Sequence, residues 1–446
     1  MRTKLKGRQQ LLIASMLFGL FFGAGNLIFP LILGAQAGES LLPALLGMLV
    51  TAVGIPLLGI VSMGVSRSEG LLDMSGRVCR PFGYFFTCAL YLAIGPLFAI
   101  PRCAATSFTM GVAPLAGGGA LPQAIFTLIF FGAALFFSLR PSKIMDSVGK
   151  LLNPIFLLFL GVMVAAALIR PVQSAASVPS SGGYVDAPFL SGFLQGYDTL
   201  DALASLAFGI IVVNCIRSLG VREGGDVARA TVKSGALSML LMALIYAAIA
   251  LVGAQSYGLY TDRLAEPGFT GGDAFAIIAR NYFGVAGGLL LAVTVGFCCL
   301  KTAVGLITSC AETFTEMFPR MLSYRGWAVS FAAFSLLISN IGLSRIIAFS
   351  TPALYFLYPL SIVLILLAMF GRRFGHDRRV YLWSMGLTLF AAIFDMMRAS
   401  SAPAFAPLVN WFNALLPLNA LGLGWILPAL AGLCIGLIHR RIRPAR

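Results

Sequence analysis

The chain has 446 residues, of which 59% are apolar and 11% charged, where a soluble globular protein carries about 25% charged residues. Its formal net charge is +15. So few charges cannot cover soluble domains of that apolarity, which excludes a soluble enzyme, a disordered chain and a disulfide-stapled secreted module.

What remains is an all-α polytopic membrane protein. In chain order, twelve apolar stretches are each long enough for a transmembrane helix: 11–36, 41–65, 82–110, 121–139, 151–169, 191–216, 234–256, 284–311, 326–343, 346–370, 380–397 and 419–438. They are numbered here as spans 1 to 12 and form one transmembrane domain over 1–446. With both termini in the cytoplasm, 24 of the 31 Lys and Arg fall on inner segments and five on outer ones, as the positive-inside rule requires. The basicity therefore reports topology and calls for no nucleic-acid partner. Span 1 is too long for a signal peptide's apolar core and lacks a small-residue cleavage site, so it is expected to stay in the protein. The eight cysteines show no CxxC spacing and read as small core residues. His376 and His439 both sit in basic cytoplasmic segments, which argues against histidine chemistry at membrane depth. No clustered carboxylate motif suggests a membrane-embedded enzyme, and no cofactor or obligate protein partner is implied; the lipid bilayer is the surrounding medium.

Most connections are short. The exceptions, 170–190 and 257–283, are outer segments, and the second carries Asp262, Glu266 and Asp273 and is expected to lie over the outer mouth. Residues 11–170 hold five spans and 191–370 five more. An odd number of spans reverses orientation, so the two blocks are expected to be inverted repeats, followed by two accessory helices in 380–438.

Two spans carry helix-weakening residues. Span 1 reads Phe21-Phe22-Gly23-Ala24-Gly25-Asn26-Leu27-Ile28-Phe29-Pro30. Its two glycines and proline are poor helix formers, and backbone freed in hydrocarbon is tolerated where it lines a polar cavity. The alternative is a packing glycine pair with a proline kink. Span 6 reads Asp198-Thr199-Leu200-Asp201-Ala202-Leu203-Ala204-Ser205-Leu206-Ala207-Phe208-Gly209, with unwinding expected at Phe208-Gly209. Interruptions at matching positions of two halves point to a transporter site. Lone charges inside spans are costly. Lys301 in span 8 is expected to face a cavity, Arg102 in span 3 fits a functional or a structural role, and Asp198 and Asp201 are expected to cap the outer end of span 6.

Phe18 to Glu39, Tyr91 to Arg102, Asp201 to Gly220 and Thr302-Ala303-Val304-Gly305-Leu306 together resemble the bacterial branched-chain amino acid carrier (LIVCS, BrnQ-type) family, within the amino acid–polyamine–cation class. The likeness runs through nearly the whole chain. It implies a LeuT-like 5+5 inverted repeat plus two helices, and cation-driven uptake of leucine, isoleucine and valine across the bacterial cytoplasmic membrane, usually with sodium. It further implies a substrate site at Gly23, Ala24, Gly25 and Asn26, facing carbonyls of Ser205, Leu206, Ala207, Phe208 and Gly209, with Phe208 against the aliphatic side chain. A sodium site beside the substrate is implied at Asn26. A second is implied by Gly19, Phe22 and Thr302, next to Lys301, where the family carries a small or hydroxylated residue. The ammonium of Lys301 would stand in for that second ion, which opens the alternative of a proton-coupled or sodium-independent carrier or exchanger.

Overall fold

The computed structural model describes residues 5–140, 143–221, 224–416, 418–419 and 421–442, with side chains at all of these except 143–153, 156 and 224. Five of the basic residues counted above, Arg2, Lys4, Arg222, Arg443 and Arg446, lie outside them. Every regular element among the described residues is helical. Helix is present in each of the twelve stretches, but only eight runs are both long and apolar enough to cross a membrane. The difference has a local cause. Among the described residues, span 1 is cut after Phe21 and its second half runs on into span 2 as one stretch, Gly25–Ser66; span 5 gives the short apolar stretch Leu157–Ile169; and spans 9 and 12 form the shorter helices Tyr324–Ser339 and Ile426–Ile442.

Spans 1, 2, 6 and 7 pack on one another: Gly25–Ala37 lies along Gly224–Gln255, and Asp201–Ser218 lies along Ile55–Ser66. Span 8, within the long helix Gly271–Met317, packs mainly against spans 3, 4, 5 and 9 and also reaches span 1. Span 10, Leu343–Phe370, bridges span 2 to span 11, which pairs with span 12. Lipid tails give apolar helices no hydrophobic reason to associate, so close backbone approach through small residues has to supply the contact. Gly192 provides one such approach, since a Cβ there would lie 3.0 Å from the Ala44 Cα.

Among the described residues three spans lose their winding part-way, and a fourth, span 8, begins at a kink where Gly284 (φ 60°, ψ −148°) interrupts Gly271–Met317. In span 1, Phe22 is extended (φ −71°, ψ 109°) and the helix restarts at Gly25. In span 6, Pro188–Gln195 passes into a tight turn at Gly196–Thr199, Leu200 takes a left-handed conformation (φ 67°), and Asp201–Ser218 starts afresh. A bulky residue at positive φ is sterically disfavoured, so the surrounding packing must hold it. Span 3 bends at Gly95 (φ −98°, ψ −124°), just before Pro96.

At the arginine-poor end, the 170–190 connection is tied down: Glu39 N donates to the Val178 carbonyl and Ser181 N to the Gln36 carbonyl. The 257–283 connection contains short turns and then a helix beginning at Gly271, which abuts Ile28 and Ile32 of span 1. Asp273 caps that helix by accepting from Thr270 N at 2.9 Å. All eight cysteines are unbridged; Cys103, Cys299 and Cys310 are buried, whereas Cys434 is exposed on the perimeter and so is no core residue.

Candidate functional site

The breaks in spans 1 and 6 face each other across a cavity of about 40 Å³ by the volume open to water centres. One water needs roughly 10–15 Å³ on that measure, so the cavity holds a few waters and its walls must part to admit anything larger. Its lining combines the polar groups of Gly23, Ala24, Gly25, Asn26, Arg102 and Asp201 with the apolar side chains of Leu20, Phe21, Ile94, Ala204, Phe208 and Leu306. The Phe21 and Phe208 rings meet edge to face with centroids 6.1 Å apart.

Asn26 organises the span 1 break. Its Oδ1 accepts from Gly23 N at 2.6 Å, which satisfies an amide freed where the helix stops. Its Nδ2 donates to Asp201 at 3.1 and 3.0 Å and also touches the Tyr246 hydroxyl, which donates to Asp201 Oδ2 at 2.5 Å. Asp201, only 2% exposed, is thus joined to both broken spans and to span 7. It makes no ion pair among the described residues.

Arg102 organises the span 6 break. It is 4% exposed and donates from Nη1 to the Asp198 carbonyl at 2.6 Å, and more weakly from Nη2 to the Thr199 carbonyl at 3.5 Å. These are carbonyls that the turn before Leu200 removes from helical bonding, so the buried guanidinium and the interrupted backbone satisfy one another. The bend of span 3 precedes Arg102 by two turns and leads it onto the break, where its guanidinium also lies 5.2 Å from the Phe29 ring centroid. Gly25 is what lets it approach: a Cβ there would come within 2.8 Å of Arg102 Nη2 and 3.4 Å of the Thr199 carbonyl oxygen.

Two expectations need correction. Ser205, Leu206, Ala207, Phe208 and Gly209 lie inside the uninterrupted helix Asp201–Ser218, so no unwinding occurs at Phe208-Gly209. A single glycine weakens a helix by only about 1 kcal/mol, too little to break one that packs well. Gly209 serves packing, since a Cβ there would meet Met63 Cγ at 2.8 Å, and Ser205 faces Gly59 while donating to the Ala202 carbonyl at 2.6 Å. Of the five, Phe208 lines the cavity. Asp198 and Asp201, expected at the outer end of span 6, flank its interruption, because that span begins at Pro188.

Around the second implied cation site, span 8 seats on the span 1 break. A Cβ at Gly23 would lie 3.3 Å from Thr302 Cγ2, and Cys298 Sγ sits 3.8 Å from the Phe22 carbonyl oxygen. The Thr302 hydroxyl donates to the Cys298 carbonyl at 3.1 Å. Thr302 lines the cavity; Gly19 lies within the helix Gly7–Phe21, and Lys301 is half-buried beside Thr302.

Sequence reasoning left Arg102 undecided and missed the roles of Asp201 and Tyr246. The available signal was an Asp beginning a helix-forming run at Asp201, which marks a new N-terminus as well in mid-span as at an outer end.

A helical membrane bundle whose central spans are interrupted in this way has the fold of a LeuT-like transporter. Mhp1, a nucleobase-cation-symport-1 family transporter solved in a closed conformation with bromovinylhydantoin bound, superposes with a TM-score of 0.61 at 16% identity over 97% of this chain and 92% of its own. The inward-facing conformation of Mhp1 gives 0.59 at 13% identity, over 99% and 96%. Residues 6–443 match the family model described as branched-chain amino acid transport protein, and the chain belongs to that family of transporters, which are not enzymes. It is similar to the branched-chain amino acid permeases BrnQ of Lactobacillus delbrueckii subsp. lactis (49% identical, 96% of each chain), of Bacillus subtilis strain 168 (42%, 98% of each) and of Escherichia coli K12 (37%, 99% of this chain and 98% of that one).

Proposed function

We propose that this chain imports leucine, isoleucine and valine across the bacterial cytoplasmic membrane by alternating access, with repeats at 11–170 and 191–370 and accessory helices in 380–438. The observation that carries the reading is the small cavity between two helix breaks, lined by both backbone-exposing polar residues and apolar side chains. Gly25 and Asn26 begin a helix, so their amides precede the first bonds of that helix, which Leu27 and Ile28 make to the Ala24 carbonyl, and suit a carboxylate. Ala24 extends that cradle, Gly23 borders it with its own amide held by Asn26 Oδ1, and Phe208 with Phe21 forms the surface that measures the aliphatic side chain. A methylene in such a pocket is worth only about 1–3 kcal/mol, so the three substrates compete with one another.

Transport is driven by a cation gradient, and sodium is the first reading. The Phe22 carbonyl and the Thr302 hydroxyl converge beside the break, with Gly19 a turn earlier, and Asn26 borders the substrate. Proton coupling or exchange is the second reading. It is favoured by Lys301, the residue before Thr302 on the helix that seats against the break, since an ammonium near that site repels a cation. Leucine uptake into proteoliposomes with sodium and proton gradients imposed separately decides between them. Saturable uptake under one gradient supports the carrier, and its absence under both, with no leucine counterflow, overturns it.

A further inference from the structure

The geometry points to Asp201 as the group that holds the α-ammonium of the transported amino acid, through a side-chain carboxylate where main-chain carbonyls were expected. This rests on the reading of the cavity as an amino acid site and deepens it.

An ammonium buried in the cavity needs acceptors, and the expected ones, at 205–209, are spent inside a continuous helix. The span 6 turn does free carbonyls, at Asp198 and Thr199, but Arg102 donates to both. Main chain from span 6 therefore offers the ammonium little. Asp201 remains, lining the same cavity, one residue beyond the left-handed Leu200 and at the start of the second half-helix.

Its surroundings suit this task. Asp201 receives hydrogen bonds from two neutral donors, Asn26 Nδ2 and the Tyr246 hydroxyl, and has no cationic side chain paired with it among the described residues. A carboxylate offers about four acceptor positions, so these donors leave room for another. Neutral donors orient a buried carboxylate without cancelling its charge, and a buried charge left unpaired is strongly unfavourable. An arriving ammonium supplies that missing charge. Arg102 acts on Asp201 through space, but its hydrogen bonds go to the break carbonyls, so its donors leave the free acceptor positions of Asp201 open. The parts of one cavity lining then answer those of a zwitterion: the helix-start amides at Ala24, Gly25 and Asn26 for the carboxylate, Asp201 for the ammonium, and the Phe21–Phe208 pair for the side chain.

The test compares leucine with 4-methylpentanoate, which keeps the carboxylate and the branched chain but lacks the amine, by calorimetric titration of the purified full-length protein. Wild type is expected to prefer leucine by at least ~30-fold, the range for one partner of a buried charge pair. Asp201→Asn is expected to weaken leucine by a similar factor, to change 4-methylpentanoate by less than ~3-fold, and so to abolish the preference. A preference that survives in Asp201→Asn, or an equal loss of both ligands in a variant that still unfolds cooperatively, overturns the assignment. If Asp201→Asn does not fold, the leucine-bound structure of the wild type decides. An α-nitrogen within about 3.2 Å of an Asp201 oxygen is expected, and an ammonium held by carbonyls alone overturns the assignment. Wild type that binds neither leucine, isoleucine nor valine refutes the carrier reading itself, a distinct failure.

Discussion

Arg102 in span 3 donates to the carbonyl of Asp198 in span 6 across 2.6 Å, and so a charged side chain from one span completes the backbone of another. Gly25 of span 1 lies against this pair, since any side chain there meets the guanidinium and the Thr199 carbonyl. The two helix breaks are therefore one construction, held by a shared arginine on one side and by the Asn26–Asp201–Tyr246 bonds on the other.

Gly25→Ala should separate the parts of this construction. The added Cβ meets Arg102 Nη2 at 2.8 Å, and overpacking of this kind costs about 1–3 kcal/mol. Leucine uptake should fall at least ~10-fold while membrane abundance, read by immunoblot, stays close to wild type. Arg102→Lys, which keeps the charge but not the fork of donors, should impair uptake comparably.

Tyr246→Phe removes one hydrogen bond to Asp201 and keeps the ring. A bond to a charged acceptor is worth about 1.5–3 kcal/mol, so the thermal unfolding midpoint in detergent should drop. Asn26→Ala should be the more damaging change, because it strands the Gly23 amide as well as Asp201. An Asn26→Ala midpoint at or above that of Tyr246→Phe would contradict the arrangement.

Much of this was legible in the sequence, for identifiable reasons. Gly23, Gly25, Asn26 and Pro30 fall within eight residues, and so many weak helix formers in one apolar run leave a clear mark, so the first break appears where expected. The second break was displaced because Phe208-Gly209 looks like an interruption only if propensity alone decides. Packing of Gly209 on Met63 overrides it, and the real break depends on Leu200 in a conformation that its residue type does not advertise. Asp201 and Tyr246 are 45 residues apart and on different spans, so no local pattern could pair them.

Phe208→Ala should loosen discrimination at the apolar part of the lining. A cavity left behind Phe21 should raise the apparent affinity for bulkier side chains relative to valine by a few-fold, seen as a changed order of inhibition of labelled leucine uptake.

At the arginine-rich end, His376 stands between spans 10 and 11, where Arg77 Nη1 donates to its Nδ1 at 3.1 Å. Burial, then the charges of Arg77 and Arg372, holds its pKa below the usual histidine value. The neutral ring is thus the form favoured on folding. Its contribution is present above the unfolded value of about 6.5 and is lost as pH falls through the lowered folded value. The unfolding midpoint should decline as pH drops below about 6.5, and His376→Gln should flatten that decline.

The central claim is that substrate sits between the two breaks, and site-specific labelling tests it most directly. Ala204 lines the cavity from span 6, so Ala204→Cys, in a chain whose eight native cysteines are replaced, reports its occupancy. Saturating leucine should slow the reaction with a small permeant maleimide several-fold, and valine should do the same at higher concentration. Labelling that is indifferent to leucine in a variant that still transports it would place the substrate elsewhere.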